Sequence, residues 1–207
     1  MNYHNISKVD MLNGEDLGAV LWLSGCAHNC PDCQNPITHD CNDGLPFDEK
    51  AKKELFDELG KSYISRITFS GGDPLHSNNI EGVYSLIQEI RTEFPDIAIW
   101  LYSGFRYKDI LDKCSEVNAN EEFLLRKNIV QATDVFVDGR FVRELADVNY
   151  PWAGSVNQKV IDMVSTMQTG FVTDKNQMYR EKWYSDMITS GNPEDKKKAE
   201  LLLRYLY

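Results

Sequence analysis

Short runs of β-branched and aromatic residues recur along the chain, each ending in Gly, Asn, Asp or Pro and leading into apolar positions at helical spacing. Strands are predicted at 19–23 (AVLWL), 66–70 (RITFS), 97–102 (IAIWLY) and 135–137, with a fifth candidate at 159–163. Apolar Ala51, Leu55, Phe56 and Leu59 mark a helix over 48–59 that Gly60 stops. A second helix is predicted over about 80–94, before Pro95, and 107–131 is helix-forming but less regular. Strands alternating with helices predict an α/β fold of β/α units around a parallel sheet. The polar and glycine-rich motifs fall where strands end, and in parallel sheets ligands bind there. Beyond Thr173 the β runs stop. There 194–205 reads as an amphipathic helix that packs Leu201, Leu202 and Leu203 on the domain and leaves Lys196, Lys197 and Lys198 solvated.

At 207 residues the chain is near the size of one domain and long enough to bury a core without a disulfide or metal staple. A metal site would therefore serve function. The balance of 32 acidic against 22 basic residues, −10 overall, opposes general binding to phosphate backbones, so no nucleic-acid partner is expected. The opening MNYHNISKVD lacks the apolar stretch of a signal peptide, and no run approaches the roughly 20 apolar residues that cross a bilayer. A cytoplasmic protein without membrane contact is expected.

Three of the five cysteines lie within eight residues, in Gly25–Pro36 (GCAHNCPDCQNP), at C-x3-C-x2-C spacing. In a reducing compartment such crowding favours metal ligation over disulfides. On a helix Cys26, Cys30 and Cys33 would form a thiol stripe, but Gly25, Asn29, Pro31 and Pro36 favour a loop curled around something. Gathered thiolates repel one another unless a metal compensates them. Two readings stay open. Cys41 can complete a four-thiolate zinc or iron–sulfur site, whereas three thiolates alone leave one iron of a cluster free for substrate. Gly71-Gly72-Asp73-Pro74 after the second strand is either a tight turn or a place where backbone carbonyls approach a ligand ammonium. Asp138-Gly139-Arg140 after the fourth is a surface turn or an anion contact, since the arginine fork suits a carboxylate. Ser103, ending the third strand, is a weaker candidate of the same kind.

The cysteine motif after a first strand, with a Gly-Gly-acidic-Pro motif after the second, resembles the radical S-adenosylmethionine superfamily. The segments MNYHNISKVDMLNG, LSGCAHNCPDCQNP, TFSGGDPLH, IWLYSGF, DVFVDGRFV and WAGSVNQKVID further resemble, in order, the activating proteins of anaerobic (class III) ribonucleoside-triphosphate reductase. The resemblance covers Met1 to about Asp162. It implies a [4Fe–4S] cluster on Cys26, Cys30 and Cys33 and reductive cleavage of S-adenosylmethionine. It further implies a glycyl radical placed on the large reductase subunit and a low-potential electron donor such as flavodoxin or ferredoxin. It places Gly71, Gly72 and Asp73 on the methionine amino group, Asp138 and Arg140 on S-adenosylmethionine with the arginine meeting its carboxylate, and Asp32 and Gln34 near the adenine, where many relatives carry an aromatic. No side-chain acid or base is demanded. The implied fold is an incomplete (β/α) barrel whose open side admits the partner's loop, with Trp152–Gln158 either lining that side or forming a structural turn. The activase domain would span 1–170 and a helical extension without an assigned role 171–207. Activation of another glycyl-radical enzyme such as pyruvate formate-lyase, radical chemistry on a pterin-like molecule, and a plain four-thiolate electron carrier or zinc module are the alternatives.

Overall fold

The structure, a computed structural model, describes residues 1–116 and 118–206. Its strands are β1 (Asn2–Asp10), β2 (Gly18–Leu23), β3 (Leu45–Pro46), β4 (Arg66–Gly71), β5 (Ala98–Ser103), β6 (Val135–Asp138), β7 (Lys159–Asp162) and β8 (Thr173–Asp174). The helices are α1 (Glu49–Leu59), α2 (Ile80–Glu93), α3 (Tyr107–Cys114), α4 (Glu121–Gln131), α5 (Met163–Thr169), α6 (Gln177–Thr189) and α7 (Pro193–Leu206). One sheet holds all eight strands in the order β3-β1-β2-β4-β5-β6-β7-β8.

The four central strands β2, β4, β5 and β6 are mutually parallel, as the strand–helix cadence predicts. The wholly parallel sheet does not hold at the flanks: β7 runs antiparallel to β6, and β1, β3 and β8 are antiparallel to their neighbours too. The reason lies in the connections. Helices α2, α3 and α4 carry the chain back between parallel strands, whereas 139–158 holds only a 3-10 turn at Arg143–Leu145, and a return without a crossover helix pairs antiparallel. The fifth strand also stops one residue early. Asp162 accepts a bond from the Ser165 amide and caps α5, so Met163 opens a helix. Strand β1 escapes sequence detection because Ile6 is its one buried residue. The sheet is open, with β3 and β8 as its edges, and does not close into a barrel.

Strand β4 is buried along nearly its whole length, including Arg66 at 1% exposure. That burial is tolerable because the guanidinium donates to the carbonyls of Asp10, Asn13, Glu15 and Asp16 and to Thr68 Oγ1. It thereby ties the 10–16 loop to the sheet. One sheet face packs Leu21, Ile67, Phe69, Ile99 and Leu101 against Leu55, Ile87 and Ile90 of α1 and α2. The opposite face carries Trp100, Val135, Val137 and Val160 under Trp152. Beyond the sheet, α6 and α7 build a separate cluster with Val142, Leu145, Tyr150 and Val156. Leu202 is fully buried there and Lys196, Lys197 and Lys198 are solvated as predicted, but Leu203 points outward.

Candidate cluster and ligand site

The C-terminal ends of the four parallel strands converge, and each predicted motif sits on one of them. Tight backbone packing brings the first two together. The Gly72 amide donates to Leu23 O at 2.8 Å and the Asp73 amide to Gly25 O at 2.7 Å. A Cβ on Gly72 would come within 2.6 Å of that same Gly25 oxygen, and Gly71 holds φ +98° against Leu23. These glycines are therefore required for two chain segments to touch. Asn79, buried at the N-cap of α2, staples the pair by donating to Ser24 O at 2.8 Å and Asp73 O at 3.0 Å.

Side chains then link all four strand ends. His28, from the cysteine loop after β2, meets Asp73 Oδ2 through Nε2 at 2.5 Å. Ser103, ending β5, donates to the same oxygen at 3.1 Å. Arg140, after β6, approaches His28 Nδ1 through Nε at 3.3 Å. Since Arg140 can only donate, Nδ1 accepts and the imidazole carries its hydrogen on Nε2, toward Asp73. Gly104 makes room for this imidazole, because a Cβ there would overlap its ring. Phe105 meets the ring edge-on, with centroids 4.8 Å apart. Arg126 of α4 completes the support: it donates to Leu75 O at 2.9 Å and lies 4.9 Å from the Phe105 and Phe123 centroids. His28, Asn79 and Arg126 are absent from the sequence-derived site. His28 alone carried a signal, its position between two cysteines.

Other predicted residues fall differently. The Asp138 carboxylate is buried and accepts the Tyr107 amide at 2.9 Å and the Lys159 amide at 3.1 Å, while burial pushes its pKa up to about 6. It anchors the start of α3 and of β7. Asp32 and Gln34 are exposed, Asp32 lying 3.8 Å from Arg143. Of the residues 152–158, Asn157 donates to Arg140 O and Gln158 to Gly139 O, so this segment holds the turn that carries Arg140.

The three cysteines are half-buried on a loop that reverses through left-handed Asn29 (φ +47°) and Asp32 (φ +56°). Burial pushes the Cys26 thiol up to about 11 and raises that of Cys30, and each feels the neighbouring thiol as well. Cys33 Sγ accepts the Asn35 amide at 3.4 Å. Among the described residues no three thiol, imidazole or carboxylate groups meet closely enough to hold a single ion, whereas in a cluster each thiolate binds its own iron. Cys41 lies against the loop, since a Cβ at Gly25 would come 3.0 Å from its own Cβ, whereas Cys114 donates to Phe123 O at 3.2 Å.

A family model described as a 4Fe-4S single cluster domain matches residues 12–161. The anaerobic ribonucleoside-triphosphate reductase-activating protein of Escherichia coli (strain K12) is 38% identical over 162 residues, covering 77% of this chain and 97% of the relative. The protein of that name from Vibrio cholerae is 33% identical over the same shares, and that from Enterobacteria phage T4 is 33% identical over 160 residues, 77% of this chain and 93% of the relative. The chain belongs to the anaerobic ribonucleoside-triphosphate reductase-activating proteins. Membership brings a [4Fe–4S] cluster and S-adenosylmethionine as cofactors, and the donor set fits the first. Three soft thiols from one reversing loop suit iron, and a bound cation removes the burden of burying them as thiolates. The match to the family ends within β7, so α5, α6 and α7 lie outside it.

Proposed function

We propose that Cys26, Cys30 and Cys33 hold the cluster, and that the protein cleaves S-adenosylmethionine to place a glycyl radical on anaerobic ribonucleoside-triphosphate reductase. The observation that carries this reading is the hydrogen-bonded chain Arg140–His28–Asp73–Ser103, which fastens the cysteine loop to three other strand ends. The chemistry supplied at such a site is one-electron cleavage of a carbon–sulfur bond in S-adenosylmethionine, giving methionine and a 5′-deoxyadenosyl radical that takes hydrogen from a glycine Cα of the reductase. The residues of the chain position and shield. His28 and Asp73 fix the cysteine loop against the Gly71-Gly72 turn, whose backbone faces the methionine amino group in this reading. Arg140, exposed beside His28, offers its free guanidinium nitrogens to the carboxylate. Phe105 and Phe123, packed edge-on to each other, give the site an apolar flank beside His28. Asp138 acts on S-adenosylmethionine only indirectly, through the backbone that carries Arg140.

In this reading the open sheet is an incomplete (β/α) barrel that admits a loop of the partner, with an activase unit through about residue 170. A low-potential protein such as flavodoxin or ferredoxin supplies the electron. Among the described residues no helix is long and apolar enough to cross a membrane.

The test is anaerobic reconstitution with iron and sulfide, reduction with dithionite, and chromatography for 5′-deoxyadenosine and methionine, followed by spin resonance after adding the reductase. Both products and a glycyl signal are expected. Replacement of Cys26, Cys30 or Cys33 by Ala should abolish cluster iron, and Cys41→Ala and Cys114→Ala should retain it. Loss of the cluster in Cys41→Ala, with a spectrum indifferent to S-adenosylmethionine, would instead identify a four-thiolate carrier.

A further inference from the structure

The helices outside the family match return to the site. A cleft of about 590 Å³ adjoins the cysteine loop and the Gly71–Asp73 turn, which lie outside its lining, and shares His28 and Arg140 with that site; Phe105 and Asn157 line it too, with Arg204 and Tyr205 from the last turn of α7. That volume lies within the range of roughly 300–1,000 Å³ typical of small-molecule sites. Asn157, 6% exposed, donates its amide to Arg140 O and so ties the cleft floor to the turn that carries Arg140.

The helices are held firmly. Arg180 of α6, itself buried, is paired with Asp174 and donates to Val156 O at 2.8 Å, Gln158 O at 3.0 Å and the Tyr150 hydroxyl at 2.6 Å. Ala199 and Leu202 of α7 are fully buried, the latter against Val142, Leu145 and Val156. At the end of α7, Arg106 donates to Tyr205 O at 3.2 Å. Apart from Asp174 of β8, these anchors lie in 139–158, which carries Arg140 and Asn157, and beside the start of α3. Charge at the cleft is also distinctive for a chain of net −10. Arg106 is paired with Asp109 and Lys113 with Glu116, whereas Arg140 and Arg204 have no carboxylate partner among the described residues.

We propose that the C-terminal extension forms the outer wall of the S-adenosylmethionine cleft, and that Arg204 is a positioning residue for that ligand. The family match ends at residue 161, so this wall is built from residues outside it. The partner's loop then enters from elsewhere than the α7 side. The inference rests on the reading of the cleft given under Proposed function.

The test uses the full cluster-loaded chain, with equilibrium dialysis against S-adenosylmethionine and amide hydrogen exchange across 199–206. Arg204 is exposed, so Arg204→Ala leaves the fold intact. Its affinity should fall on the order of fivefold, the effect of one lost cation contact. Lys198→Ala, on the solvated face of the same helix, should bind normally. Bound S-adenosylmethionine should slow exchange in α7. Equal affinity for wild type and Arg204→Ala, with exchange in α7 unchanged by ligand, would reduce the extension to a prop for β7 and overturn the proposal. A wild-type protein that binds no S-adenosylmethionine would overturn the reading of the cleft itself, and this inference with it.

Discussion

Asp73 joins three strand ends through one carboxylate, which makes the cost of its removal calculable. At 2% exposure it accepts the Leu75 amide on Oδ1 at 2.8 Å, and His28 Nε2 and the Ser103 hydroxyl on Oδ2. Asp73→Ala strands the Leu75 amide and the His28 ring, while Ser103 can rotate toward another acceptor. Two buried donors left unpaired at about 1–3 kcal/mol each imply a loss of about 3 kcal/mol. For a chain of this size each kcal/mol lowers the melting temperature by roughly 2–4 °C, so a fall of about 6–12 °C is expected. Asp73→Asn separates two contributions. Its oxygen still serves Leu75, but its amide presents a donor to His28. The imidazole can accept that donor only by moving its hydrogen to Nδ1, where it then opposes the Arg140 donor. The link to Arg140 breaks, and an intermediate loss of about 1 kcal/mol follows. Thermal unfolding of the cluster-free chain under anaerobic conditions measures both, and a double-mutant cycle with His28→Ala isolates the pair. A coupling energy of about 1–2 kcal/mol is expected. Additive effects, or an Asp73→Ala protein melting within about 2 °C of wild type, would refute the idea that this carboxylate organises the site.

Two further perturbations probe the frame. Arg66→Met removes the donors that hold the carbonyls of the 10–16 loop, so a loss of about 3–5 kcal/mol and faster amide exchange at 11–17 are expected in urea unfolding followed by mass spectrometry. Burial pushes the Asp138 carboxyl up to about 6 in the folded protein, above the ordinary aspartate range. The folded state therefore binds the proton more tightly, and stability rises as pH falls from 6 toward 4. Between pH 7 and pH 5 the gain amounts to about 1 kcal/mol, and Asp138→Asn should lack it in paired urea titrations. An unchanged pH slope in that variant would place the titrating group elsewhere.

The central architecture and the cysteine loop were legible because their signals are local. A strand buried on both faces reads as an apolar run, as in 19–23 and 66–70, and a three-thiol loop has few other uses. Strands β1, β3 and β8 were not, since β1 buries one residue and the others span two residues each. The direction of β7 depends on what fails to form between 139 and 158, and no residue in β7 itself encodes it. Likewise Asp138 looks like a ligand contact in sequence. Only the fold reveals that its carboxylate is consumed by two backbone amides.

The sequence by itself determined the parallel β/α core, the cysteine motif, its family and the end of the resemblance near Asp162, all carried by contiguous residues. The tertiary structure alone decided that His28 closes a hydrogen-bonded chain between Arg140 and Asp73, and that Arg204 stands at the same cleft as His28. The bonded pairs lie 45 and 112 positions apart, and only the sheet order and the return of α7 bring such distant residues to one place.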